Sequence, residues 1–252
     1  MLASGWKSSS SQLLRENIHL SSLSFHFDLE EMATREHYMF YSYWRSSCSW
    51  RVRIALEWKS IPFEYRTVHL LNGGGEQFHD EYTALNPNQR LPTLVVDGHV
   101  LSQSGAILEF LEETHPEKPL LPSDAFARAQ VRNLCAIIGC DVQPIQNLTV
   151  QLKATEDLPE KLQAAKKQQW SQFWIERGFQ ALEAELVKTA GTFCFKDEVT
   201  LADLYLQPQV YNANRVGVDM AKYPTIARIT AELEAIPAFQ RAHPSQQPDA
   251  AD

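Results

Sequence analysis

Residues 116–124 carry three prolines, and the chain on either side of this stretch obeys a different periodicity. Upstream, short runs of aromatic and β-branched residues alternate with helical patterns. Downstream, every apolar repeat has helical spacing. That change of pattern points to a small α/β unit followed by an all-helical one.

Upstream, residues 38–43 read as an aromatic strand and Arg45, Ser46 and Ser47 as a loop. Residues 48–59 suit a helix with Trp50, Ile54, Ala55 and Trp58 on one side, capped by Ser46 or Ser47. Pro62 introduces a second strand over 63–69, Gly73-Gly74-Gly75 a turn, and 77–85 a short helical piece. A strand over 91–96 opens at Leu91-Pro92, where proline is tolerated, and Asp97-Gly98 turns it into a hairpin with 99–102. A helix over 103–115 follows. The order β-α-β-α-β-β-α, with a parallel first pair and an antiparallel hairpin, is the thioredoxin-like plan.

The sequence thus divides into an α/β unit over 36–115, a linker over 116–124 and a helical unit over 125–252. Helices are predicted over 125–152, 162–190, 201–215 and 225–235, with Trp170, Phe173 and Trp174 as core. Thr200 and Asp203 form a capping box inside a Val199–Leu204 staple, a structural start signal for the third of these helices. Residues 1–35 are Ser-rich and are read as a disordered extension. The alternative is a mitochondrial transit segment within residues 1–28, where Lys7, Arg15 and Glu16 are the only charges before Asp28.

The net charge of -8 argues against nucleic acid as partner. It also requires that any site for an anion gather Arg or Lys locally. Cysteines 48, 135, 140 and 194 form no C-x-x-C pair, which suits a reducing compartment, here the cytoplasm. No apolar run is long enough for a bilayer, so no membrane partner is expected. The histidines lack metal-ligand spacing, and no metal is expected.

Three features concern chemistry. Ser46-Ser47-Cys48 sit where a helix begins, and a helix N-terminus favours an anion, including a thiolate. A free thiol has a pKa near ~8.5, and lowering it by about two units is worth ~2.7 kcal/mol, within reach of one hydroxyl hydrogen bond and a helix end. The same residues could equally serve only as cap and packing. Leu91-Pro92, if cis, would free the Leu91 backbone to bond an extended peptide, although trans is the default. Gln103-Ser104 open a helix suited to a carboxylate.

The run Tyr41-Ser42-Tyr43-Trp44-Arg45-Ser46-Ser47-Cys48-Ser49-Trp50-Arg51-Val52-Arg53 closely resembles the signature of zeta-class glutathione transferases, a class also known as maleylacetoacetate isomerase. The likeness continues through Asn86-Pro87, Pro92-Thr93-Leu94, Gln103-Ser104, Gln143-Pro144-Ile145-Gln146-Asn147 and Gln247-Pro248-Asp249. It implies the glutathione transferase fold, a homodimer, and glutathione as a nucleophilic cofactor for cis–trans isomerisation of a small acidic substrate in tyrosine and phenylalanine breakdown, with a side activity on α-haloacids. The resemblance implies that Ser46, Ser47 and Cys48 face the sulfur, with Ser46 the first choice as thiolate stabiliser. It further implies that Arg51, Gln77, the Leu91 backbone, Gln103, Ser104, Gln143 and Asn147 hold glutathione, and that Arg215, helped by Arg45, receives a substrate carboxylate.

Three departures stand out: Gly105-Ala106 after Gln103-Ser104, Leu91 before the proline, and a long Lys-rich segment over 151–169 that is expected to shape the mouth of the site. Two alternatives stay open. One is a thioltransferase using Cys48, without a resolving cysteine. The other is a non-catalytic module on the same fold.

Overall fold

The computed structural model describes residues 37–250, and the extension expected over 1–35 lies outside them. Strand β1 (Tyr38–Ser42) buries Tyr38, Phe40 and Ser42 and leaves Met39 and Tyr41 half-buried, the period of two that a strand imposes. Helix α1 (Ser47–Lys59) crosses over to β2 (Glu64–Thr67), which pairs parallel to β1. Helix α2 (Asp80–Leu85) precedes β3 (Thr93–Val96), which runs antiparallel to β1 and, through the hairpin, to β4 (His99–Ser102). The sheet order is β2-β1-β3-β4. Asp97 and Gly98 both take positive φ, as a two-residue hairpin turn requires. Helix α3 (Ser104–Thr114) closes the α/β half.

The strand expected over 63–69 is only four residues long, and the helical piece expected over 77–85 is two elements. A 3-10 turn (Glu76–Phe78) carries Gln77, and α2 starts after it, at Asp80.

Beyond the prolines the described chain is helical: α4 (Ala125–Ala136), α5 (Leu148–Thr155), α6 (Glu160–Thr189), α7 (Leu201–Val216), α8 (Pro224–Glu234) and α9 (Pro237–Ala242). The single helix predicted over 125–152 is broken by a π-helical turn (Ile137–Val142) and a bend before Asn147, whose side chain caps α5 by accepting from Leu148 N at 2.7 Å. Gly139 lies in this turn because a Cβ there would come 2.9 Å from Tyr205 Cε1.

The aromatic stripe on α6 is also a correction. Phe173 is 57% exposed, and the buried stripe is Ser171, Ile175, Gly178, Phe179, Leu182 and Leu186. At α7, Asp203 accepts from Thr200 N at 2.8 Å, and it also takes Cys194 N at 2.9 Å, so the cap fastens the preceding turn as well.

Helix α1 packs against α3, α7 and α9 and is buried on nearly every side, rather than on one face. Three basic side chains go with it. Lys59 pairs with Glu112 at 2.8 Å, both buried. Glu112 also accepts from Leu120 N and Leu121 N, so the proline stretch is docked on α3 rather than free. Arg53, pulled down to about 10 by burial, donates to Ala242 O, Ser42 Oγ, Tyr43 O and Trp44 O. Arg51 is taken up below, because it lies beneath the site.

Candidate active site

The cavity that concerns function has a volume of about 650 Å³ and lies between the ends of the sheet and the helical half. The loop after β1 and the start of α1 supply Arg45, Ser46, Ser47, Cys48 and Arg51. The 3-10 turn supplies Gln77, the approach to β3 supplies Leu91, and the start of α3 supplies Gln103 and Ser104. From the helical half, the broken helix supplies Gln143 and Asn147, and the end of α7 supplies Arg215. All twelve residues singled out in the sequence therefore border one space.

Local geometry explains how each is held. Ser46 stands at the N-cap of α1, and its Oγ accepts from Ser49 N at 3.2 Å. A hydroxyl has two lone pairs and one proton. Capping uses a lone pair and leaves the O–H free to donate to whatever enters the cavity. Cys48 is half-buried and Ser47 is buried beside it.

Gln77 is buried, with Oε1 lacking a partner, and Gly75 (φ +115) lets the turn pass because a Cβ there would come 2.5 Å from the Gln77 amide. The Leu91-Pro92 bond is cis, not the trans default. Gln103 holds φ +72 at the N-cap of α3 without capping it by its side chain. A non-glycine residue in that region is an uncommon conformation that clusters at ligand sites. The exposed Gln103 amide is thus left to the cavity.

Under these groups lies Arg51, 2% exposed, with its guanidinium 4.1 Å over the Tyr205 ring and Nη1 donating to Ser104 Oγ at 3.3 Å. Its Nε and Nη2 have no partner.

The cavity wall carries Arg45, Arg51, Arg90, Lys167 and Arg215, and among the described residues no carboxylate lines it. Burial, and next the charge of Arg45, draw Arg215 below its ordinary pKa, so the two guanidinium groups are near enough to feel one another. In a chain of net charge -8 this is a local concentration of positive charge, the requirement set for an anion site. Sequence reasoning had not singled out Arg90, Gln168, Ser171 or Asn212, which also border the cavity. Ser171 and Asn212 are polar residues buried on helices, and their burial shows only once the faces of α6 and α7 are known. Arg90 enters only through the loop path, which no periodicity announces.

A family described as glutathione S-transferase, N-terminal domain, matches residues 45–114. A maleylacetoacetate isomerase from Dictyostelium discoideum is 52% identical over 210 residues, which cover 83% of this chain and 94% of that one. A solved maleylacetoacetate isomerase from Anaeromyxobacter dehalogenans 2CP-1, with glutathione bound in its active site, is 45% identical over 86% of this chain and 99% of that one, at a TM-score of 0.77. A holo maleylpyruvate isomerase, a bacterial glutathione S-transferase of the zeta class, is likewise 45% identical, covering 84% of this chain and all of that one at a TM-score of 0.79. With that identity over nearly the whole length of such relatives, the chain belongs to the maleylacetoacetate isomerase family, the zeta class of the glutathione transferases.

Proposed function

We propose that this chain is a glutathione-dependent cis–trans isomerase of maleylacetoacetate. The observation that carries the reading is the cavity that joins Ser46 to Arg215 with five basic side chains and no acid among its described lining. The residues fit glutathione. Gln77 Oε1 is a buried acceptor in want of a donor, which an ammonium or amide of the tripeptide can supply. The Leu91 backbone lies beside an extended peptide's path. Gln103, Ser104 and the uncapped first turn of α3 suit a carboxylate. Gln143 and Asn147 approach from the opposite wall. Arg51 supports this side by holding Ser104 from below.

Bound glutathione supplies a sulfur nucleophile that adds to the cis double bond, leaves a single bond free to rotate, and departs to give the trans product. The protein's share is electrostatic. Ser46 donates its free O–H to the sulfur while its oxygen goes on capping α1, and the N-terminal end of that helix adds partial positive charge. Arg215 receives the substrate carboxylate and opposes the negative charge that develops on the conjugated carbonyl, aided by the charge of Arg45. Glutathione emerges unchanged, so the chain needs no reductant or oxidant.

The same sulfur displacing halide from α-haloacids, a place in tyrosine and phenylalanine breakdown, assembly as a homodimer and a cytoplasmic location belong to the same proposal. The four free thiols at Cys48, Cys135, Cys140 and Cys194 support a reducing location.

The test is isomerisation of maleylacetone followed with and without glutathione, beside Arg215→Ala and Cys48→Ala. The expected outcome is strict glutathione dependence. Arg215→Ala should lose about 10²-fold in kcat/KM, the scale of one charged hydrogen bond to a developing anion. Cys48→Ala should keep isomerising; its inactivity would transfer the reading to the thioltransferase mechanism. No glutathione binding and no turnover would mean that the fold serves another purpose.

A further inference from the structure

Five cations border the cavity, which on the proposed reading receives both glutathione and an acidic substrate. Arg215 feels the charge of Arg45, Arg51 is buried beneath Ser104 and the Tyr205 ring, and Arg90 comes from the loop before Leu91. Lys167 belongs with none of these. It comes from α6, in a Lys-rich segment, and among the described residues it is the lysine that borders the cavity. Lys161 and Lys166 on the same helix are exposed away from it, and Lys153 on α5 is paired with Glu156.

Lys167 is half-buried, and its ammonium donates to Gln163 Oε1 at a long 3.4 Å, with no carboxylate within ion-pair reach among the described residues. An ammonium carries three hydrogens, so this bond leaves donors for a ligand. Its position relative to Arg215 is set by two side chains of α6. Gln168 Nε2 donates to Val216 O at 3.2 Å, and Gln172 Nε2 to Gly217 O at 3.1 Å. Both acceptors follow Arg215 directly in the chain. Lys167 and Arg215, which both border the cavity, are therefore carried by elements that these two hydrogen bonds staple together.

We infer that Lys167 is a specificity-determining residue that binds the second carboxylate of a dicarboxylate substrate, the one remote from the double bond, while Arg215 holds the first. This rests on the isomerase reading and adds to it a preference for dianions over monoanions. The two substrates that separate these cases differ only at that end: maleylacetoacetate carries the remote carboxylate and maleylacetone lacks it.

The experiment compares kcat/KM for maleylacetoacetate with kcat/KM for maleylacetone, at saturating glutathione, in the wild type, Lys167→Met, Lys167→Arg and Lys166→Met. In Lys167→Met the ratio should fall about five- to tenfold, the range of a partly exposed charge-assisted bond. Lys167→Arg should restore most of it. Lys166→Met removes the same charge one residue away, outside the cavity, and should leave the ratio where it was. An equal fall in both lysine variants would mean that only remote charge is felt, and would overturn the assignment. So would a Lys167→Met enzyme that treats the two substrates as the wild type does. A wild type that isomerises neither substrate sinks the underlying reading and Lys167 with it. A wild type active on both, with a ratio indifferent to Lys167, sinks the second inference alone.

Discussion

Ser46 caps α1, and the proposed function gives the same side chain a second task that is separable because it uses a different part of the hydroxyl. The oxygen caps α1 through Ser49 N, and in the proposed mechanism the proton is the part that meets the sulfur of bound glutathione. Ser46→Ala removes both at once and cannot tell them apart. Ser46→Asp can. An aspartate caps a helix as well as serine does, but when ionised it has no proton to donate and sets a negative charge beside the sulfur. The melting temperature should stay close to that of the wild type, while kcat/KM falls by about 10²-fold or more. A Ser46→Asp enzyme at wild-type rate would show that the hydroxyl serves the helix alone. At this scale the sequence was most legible. Ser46 and Gln103 open helices whose starts already suit an anion, Arg215 was singled out only by the family resemblance, and all three border one cavity. The unusual backbone at Gln103 was not legible, since φ +72 in a glutamine is dictated by the surroundings rather than by the residue. The same holds for Arg51: its buried state follows from packing on Tyr205, 154 positions away in the numbering from 51 to 205.

Element boundaries were less readable in the helical half, for a physical reason. Apolar repeats run through residues 125–152, so periodicity predicts one helix, yet Pro144 cannot continue a helix, and the chain divides into α4, a π-helical turn, a bend that contains Pro144, and α5. The turn is pressed on α6 at Gly178, where an added Cβ would come 2.0 Å from Val142 Cγ2. A valine side chain that is fully buried has little freedom to withdraw. Gly178→Ala, normally favourable inside a helix, should therefore destabilise the protein, by about 1–3 kcal/mol as an overpacked site. Since Gln143 directly follows Val142, the shift should also raise KM for glutathione more than it lowers kcat. Denaturant melts and a glutathione titration of the same variant check both halves, and a variant as stable as the wild type would show that the contact relaxes freely. The misplaced aromatic stripe has a related origin. Trp170, Phe173 and Trp174 have helical spacing, but the buried face is turned toward Ser171 and Ile175, because Gly178 and Phe179 decide which side of α6 can approach the core.

At the scale of the whole molecule, the end of the chain returns to the loop that opens the site. Asp249 accepts from Trp44 N at 3.0 Å and from Tyr65 OH at 2.7 Å. Arg53 works from the inside, joining Trp44 O at 2.8 Å to Ala242 O at 3.1 Å. Trp44 is thus tied by both its N–H and its C=O, and the next two residues are Arg45 and Ser46. Neither tie is visible in local patterning, because Trp44 and Asp249 are separated by |i−j| of 205, although Gln247-Pro248-Asp249 stood out as a motif. Burial of Arg53 without a carboxylate directly on it makes this junction depend on carbonyl oxygens, and Asp249 is the acid that lies beyond them. Asp249→Ala removes two hydrogen bonds to a charged acceptor, each worth about 1.5–3 kcal/mol, partly returned by water because the residue is half-buried. The expected result is a loss of roughly 2–4 kcal/mol of stability and faster hydrogen exchange at the Trp44 amide. A fall in kcat should accompany them, because the Ser46 hydroxyl then samples a wider range of positions. Asp249→Asn retains acceptor oxygen for only one of the two donors and should fall between. If Trp44 exchange is unchanged in Asp249→Ala while stability drops, the tail supports the fold without positioning Ser46, and the loop must be held by Arg53 alone.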